Sequence, residues 1–492
     1  MRLERMSTAV RRTECGFPMP HRRALVSQAL EKFAKCALIG SAALLLAGPV
    51  QANDVTGQLV DLGNKPRESG QRAAGLNVWD LQPFRGKLYL GMGSTSHNSG
   101  PIPVWAYDHD QQSWPPEPET IVEQEAIELY RVIGNELYIP AADPKGSSDD
   151  GSNDGIKFYR RGTDGRWVQF YSVRALHTAH IRDLAEDDGL LLGVGNSRRP
   201  HDLLKAKPGA VAISLSMVDS QGAQNKELGL FRSAISLTPP GPSGGRVDAD
   251  TSQRNRIGNW FFALFRLHDG LYASTRWLSW APDDPEEEGF YRPRMEYPPQ
   301  VPPFPTVLRW DRNLSQFAAP LPGTLDRLVP VSPERDTQLT LRPFKPALFG
   351  ELWFAPLRSQ AFRQNYLTGY NQSVDFVVKP ETGPGRRVVL PNSDALGEAV
   401  LVDGDRLWLL ANAPRPDGGY RVLVYVLKDV DATVDRLDPD TGLATSAWRE
   451  VLHFDSPNLA RSFSRIDETW YFGLGFAGAE APGQAGTLLR LN

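Results

Sequence analysis

Apolar residues along this chain recur as short alternating runs, paired across a polar or Gly-containing turn, and the second run of each pair opens on a Leu-aromatic, Leu-Leu or, in the last, Trp-Tyr step. Seven such runs can be aligned, anchored at Leu88, Leu137, Leu190, Leu271, Leu352, Leu407 and Trp470. Alternation with period two predicts half-buried strands, and a Gly- or Asp-containing turn between two of them predicts a hairpin. The runs Val78–Phe84 and Phe261–Leu267 read as first strands of this unit. The stretches 104–108 and 156–159, followed by Trp114 and by 166–170, read as third and fourth strands. No helical period of 3.6 survives beyond residue 52, because Pro and Gly interrupt every candidate. Successive anchors lie 49, 53, 81, 81, 55 and 63 residues apart. A four-stranded propeller blade takes about 40–50 residues, so most intervals hold one blade plus loops. The longer intervals contain polar or Pro-rich insertions near 196–209, 238–258 and 277–305.

Residues 1–52 read as an export signal: basic residues precede the apolar run 37–47, and Val50-Gln51-Ala52 offers a cleavage site before Asn53. The run is too short to span a bilayer. Both cysteines, Cys15 and Cys36, fall inside this leader. Residues 53–492 therefore have no thiol, which excludes disulfides, a cysteine nucleophile and thiolate metal sites. The same stretch carries a net charge of −9, which argues against nucleic acid as a partner. The expectation is a periplasmic or secreted protein, not membrane-spanning.

Tyr107-Asp108 with Trp114, after the Gly-rich second strand Gly91-Met92-Gly93, resembles kelch-type propeller repeats, although the paired glycines of that family are absent. The resemblance implies an all-β, seven-bladed β-propeller of four-stranded blades. It also implies closure of the ring by an N-terminal strand, with Thr56–Leu62 completing the last blade, whose own repeat ends at Thr487–Asn492.

In such a ring, loops leaving each second strand and entering each first strand share one rim. The exits supply Ser94, Asp143, Asn196, Arg276, Arg358 and Asn412, and the entries supply Asn77, His180 and Arg461. Convergent arginines suit a carboxylate, sulfate or phosphate, because the guanidinium fork pairs two oxygens at once. They are also what solvated loops of an arginine-rich chain would show. His180 and His177 are candidate bases, without the spacing of a metal site. The segment His180-Ile181-Arg182-Asp183 aligns with Asn77-Val78-Trp79-Asp80, and both aspartates are expected to tie a first strand to the neighbouring blade. Asp150, Ser152 and Asp154 open like a calcium loop, but Arg161 stands where the bidentate Glu should be. Thr163–Trp167 is similar to the Asp-box of sialidases and equally to an ordinary Asp-Gly hairpin turn. Trp277 and Trp280 could stack on sugar rings or pin their insertion to a blade edge. No nucleophile elbow, P-loop or dinucleotide fingerprint is present.

The leading expectation is non-covalent binding of a small anionic or carbohydrate-like ligand, or of a protein partner, at the rim. Lyase or hydrolase action on acidic glycans, with His180 or His177 as base, and a structural docking module of the cell envelope remain open. Calcium is the one cofactor the sequence suggests.

Overall fold

The computed structural model describes residues 52–94, 99–140, 142, 157–171, 178–188, 190–197, 211–214, 256–267, 270–280, 293–294, 307–313, 316–318, 339–343, 345–350, 352–361, 372–380, 386–388, 390–427, 437–438, 442–443, 447–476 and 483–492. Residues 1–51, most of 198–255 and most of 281–306 lie outside them. Among the described residues the protein is all-β, the helices being Thr56–Gln58 and Lys65–Glu68. None of the described helices is long and apolar enough to cross a membrane.

Each of the seven sequence anchors falls at the head of a strand that pairs antiparallel with the strand before it. The closing pairs are Phe84↔Lys87, Ile133↔Glu136, Asp187↔Leu190, Leu267↔Gly270, Phe349↔Leu352, Asp403↔Arg406 and Ile466↔Thr469. Each leaves a two-residue turn. The first turn residue has positive φ at Arg85, Gly134, Asp188, Gly350, Gly404 and Asp467, between 51° and 59°. That backbone twist matches the twist of the flanking strands, which explains why Gly and Asp punctuate the sequence there.

Further strands extend these hairpins outward. The first sheet runs Val78–Phe84, Lys87–Met92, Ala106–Asp108, and the second Arg131–Ile133, Glu136–Ile139, Lys157–Arg161, Trp167–Tyr171. The third runs Thr178–Asp187, Leu190–Ser197, Val211–Ser214, and the fourth Arg256–Leu267, Gly270–Trp280, Val307–Asp311, Gln316–Ala318. In the fifth, Leu339–Pro343 and Ala347–Phe349 both pair with Leu352–Ala361, which then pairs with Gln372–Pro380. The sixth runs Leu396–Asp403, Arg406–Pro414, Tyr420–Leu427, Arg449–Ser456, with Asn53–Asp54 added in parallel. The seventh runs Leu459–Ile466, Thr469–Gly475, Leu488–Leu491. Val60 and Asp61 pair with Arg490 and Leu489 on its outer edge. Trp114 helps hold that N-terminal segment, its Nε1 donating to the Leu62 carbonyl at 2.6 Å.

Apolar cores lie between successive sheets, where the inward residues of neighbouring alternating strands meet. One joins Val78, Leu88 and Tyr89 to Leu137 and Tyr159, and another joins Leu410 and Val424 to Phe463 and Phe472. A third joins Phe354 to Leu409 and Tyr425. First strands of neighbouring sheets touch as well: Thr178–Asp187 meets Arg131–Ile133 and Arg256–Leu267, Leu396–Asp403 meets Leu459–Ile466, and Val78–Phe84 meets Leu459–Ile466.

Candidate functional site

One irregularity repeats. Between Val78 and Asp80, Ile181 and Asp183, Phe261 and Ala263, Gly397 and Ala399, and Ala460 and Ser462, the first strand carries a residue its partner does not match. The bulged residues are Trp79, Arg182, Phe262, Glu398 and Arg461, each five positions before the end of its strand at the hairpin turn. Counting back equally from Ile133 in the second sheet reaches Glu128. A bulge re-aims a side chain and ends regular pairing, and here it does so at the same height in sheet after sheet.

The residue after the bulge ties its sheet to the next. The Tyr130 N–H donates to the Asp80 carboxylate at 2.7 Å, and the Leu264 N–H donates to Asp183 at 2.7 Å. Asp183 also takes Arg131 Nε and Nη2, at 2.7 and 2.6 Å. Burial lowers the Arg131 pKa, but the Asp183 charge outweighs it and the net shift is upward. Asp80 has no solvent exposure and also receives the Lys345 ammonium from the fifth sheet's end of the chain. The two aspartates thus do what the sequence suggested.

Arg461 and Asn77, both expected at a rim, do come together. Arg461 is 1% exposed; its Nε donates to Asn77 Oδ1 at 2.9 Å, and its Nη2 donates to the Phe476 carbonyl. Its guanidinium carbon lies 4.4 Å from the Trp79 ring centroid, and Glu398 Oε1 is 3.5 Å from Nη1. Burial pulls the Arg461 pKa below its ordinary value, with Glu398, Tyr420 and Glu128 opposing. Asn412 is buried too, donating to the Ala460 carbonyl at 2.9 Å and accepting the Ala460 N–H at 2.8 Å. The Ser94 N–H donates to Ser99 Oγ at 2.6 Å. Arg461, Asn77 and Asn412 thus spend their polar atoms on protein groups of the seventh sheet and its neighbours.

The backbone register brings a further set of residues to one level. Asn196, Arg276, Arg358 and Asn412 each pair with the residue two before the bulge or its equivalent: His180, Trp260, Arg342 and Leu396. These four pairs form one rung repeated through the third to sixth sheets. In the fourth and fifth sheets the strands run past it, to Arg256↔Trp280 and to Leu339↔Ala361. Arg276 and Arg358 are therefore inside long hairpins rather than in exit loops, because pairing continues where the sequence predicted a break. Trp280 shares a face with Arg276 and Trp260 by strand alternation, while Trp277, opposite Asn259, falls on the other face.

Arg342 was not singled out in the sequence, since Leu339–Pro343 stands apart from the hairpin pattern and only its pairing reveals the rung. Asp143, His177, Asp150, Ser152 and Asp154 lie outside the described residues, and the calcium reading with them. No cluster of three or more His, Cys, Asp or Glu suited to a metal occurs among the described residues. At Thr163–Trp167, Asp164 Oδ1 accepts the Arg166 N–H at 3.0 Å, an ordinary turn contact.

No family model matches this chain, and no curated protein matches it in sequence. Solved structures that are similar include a computationally designed protein, Ika8, at 10% identity and TM-score 0.34, over 85% of this chain and 97% of that one. BamB from Moraxella catarrhalis is similar at 10% identity and TM-score 0.31, over 84% and 80%. A polysaccharide lyase, Uly1, is similar at 10% identity and TM-score 0.33, over 84% and 88%. Likeness at this level bears on neither substrate nor mechanism.

Proposed function

We propose that the protein is an exported, seven-bladed β-propeller, closed by its N-terminal strand, that binds an anionic or carbohydrate-like ligand at one rim of its central axis. The ring reading is supported by contacts between sheets that are not neighbours in order. Lys345 reaches Asp80 from the fifth sheet to the first, and Arg131 of the second donates to the Leu264 carbonyl of the fourth at 3.3 Å. Such chords suit inner strands that face a common axis. A fold of this kind fixes no chemistry by itself.

The observation that carries the ligand reading is the shared rung. His180 and Asn196, Trp260 and Arg276, and Arg342 and Arg358 stand at one height on successive sheets, on strands that project beyond it. Arginine forks there would pair carboxylate or sulfate oxygens. A thermal-shift screen against uronates, sialate, phosphates, calcium and other metals tests it, with Arg276→Ala as control. Saturable stabilisation by an anion, lost in the variant, is the expected result; silence across the panel refutes the reading.

A second reading is favoured by one observation: His180 shares the rung with Asn196 and lies one sheet from Arg276. There it would serve as base for cleavage of an acidic glycan. Turnover of an acidic polysaccharide that His180→Ala abolishes, without a change in melting, would establish it.

A further inference from the structure

The residues that follow the bulges form a second row. Asp80 stands four positions before Phe84, Asp183 four before Asp187 and Lys345 four before Phe349, each of which closes its strand at the hairpin turn. Lys345 is the basic member of this row, and its φ of 43° lies in the left-handed region that side chains rarely adopt. Such a conformation persists where the surroundings hold the residue in place. Its ammonium meets Asp80, a carboxylate without solvent exposure that also accepts the Tyr130 N–H at 2.7 Å. Contacts run from each sheet to the next and from the seventh back to the first. Between the fifth sheet and the first, two sheets intervene one way round and three the other. The Lys345–Asp80 pair therefore spans the middle of the arrangement rather than one of its seams.

The bulged row lies one residue away along each chain segment. Trp79, Glu398 and Arg461 belong to the first, sixth and seventh sheets, and they touch. The guanidinium carbon is 4.4 Å from the indole ring centroid, and Glu398 Oε1 is 3.5 Å from Nη1. Glu128, leading into the second sheet, is close enough to act on the Arg461 charge. None of these four is more than 5% exposed. An open channel would leave charged side chains at this height wet, because a charge leaves water only where other polar groups replace it. Here the replacements come from the protein.

Resting on the ring reading above, we infer that this level of the axis is a seal, closed by side chains converging from several sheets and strutted by Lys345 and Asp80. The ring is then a cup and not a tunnel. A ligand enters and leaves by the rim alone, with Trp79, Glu398 and Arg461 beneath it. A polymer is held by an end or along its side and is never threaded.

Residues 53–492 contain no cysteine, so one introduced thiol reports on one place. Glu128→Cys puts a thiol at the seal, and Asp405→Cys puts one where the native side chain is 90% exposed. With iodoacetamide the first should react on the order of a hundredfold more slowly than the second, because reaction waits on local opening. Adding Lys345→Ala should speed that slow reaction about tenfold or more. In the unaltered chain the Trp79 indole proton, which Nε1 donates to the Gly93 carbonyl at 2.8 Å, should exchange with deuterium as slowly as core amides. Equal labelling of the two thiols, in proteins that melt normally, overturns the seal. Fast exchange of the Trp79 proton does so even where Glu128→Cys fails to fold, and a labelling rate that Lys345→Ala leaves unchanged overturns the strut. A double-mutant cycle keeps the ring reading separate: Asp80→Asn and Lys345→Gln should be non-additive in unfolding. Additive losses mean that the first and fifth sheets do not meet, and the ring falls with the seal. Coupling together with fast labelling leaves the ring standing and overturns the seal alone.

Discussion

Glu398 and Arg461 hold the same bulged place in two successive sheets, and their side chains approach to 3.5 Å in an environment from which water is excluded. Asn77 and the Phe476 carbonyl complete the shell around the guanidinium. Removing one member of a buried ion pair strands the other. Arg461→Met should therefore destabilise the protein by about 3–5 kcal/mol, read from urea unfolding. Arg461→Lys should recover only part of that, because a single ammonium cannot reproduce the fork.

Asn412 and Arg358 occupy one rung, yet are expected to behave in opposite ways. The Asn412 amide is engaged twice with the Ala460 backbone. Asn412→Ala should cost about 1–3 kcal/mol per buried partner left unsatisfied and leave ligand affinity unchanged. Arg358→Ala should reduce affinity and leave the unliganded melting temperature alone. Calorimetric titration and unfolding of both variants in parallel check the contrast.

Glu119 gives the acid limb of stability a specific origin. Burial pushes its pKa up, but hydrogen bonds from Lys87, Arg161 and Trp167 outweigh that and hold it below the usual carboxylate value. A group depressed in this way stabilises the fold fully above its unfolded pKa of about 4.3. The contribution disappears as pH falls through the lower folded value. Glu119→Gln should thus be less stable than wild type at pH 7, with the gap narrowing below about pH 4.3. Unfolding curves across that range decide it.

Deleting residues 53–61 should uncover two outer edges at once, because Asn53–Asp54 covers Arg449–Ser456 and Val60–Asp61 covers Leu488–Leu491. Unpaired edges invite pairing between chains. The truncated protein should melt earlier and self-associate, visible by light scattering.

The second strand of every repeat was legible in the sequence because a Leu followed by an aromatic or Leu, or the Trp470-Tyr471 pair of the last, placed just after a tight turn, is a local pattern. The rung was legible for the same reason: Asn196, Arg276, Arg358 and Asn412 lie at a fixed distance from that turn. The bulges were not. One extra residue in a strand leaves no mark on composition, so Glu398 and Trp79 gave no hint that they would meet Arg461. Nor could the sequence show that Arg461 is buried. Arg461 looks like any other loop arginine until the structure shows it enclosed by Asn77, Glu398 and Trp79. Arg342 escaped because, among the described residues, its strand is joined to its sheet through Leu352–Ala361, by hydrogen bonds that no short-range pattern reports.

The joining of Val60 and Asp61 to Leu489 and Arg490 also sets a timetable. Val60 and Asp61 cannot find their seat until Leu489 and Arg490 have been made. Throughout that interval the opening segment must stay loose without straying into other partners, and Asp54 and Asp61 give it charge suited to doing so. Loss of Leu488–Leu491 alone would leave Val60 and Asp61 without their pairing partner.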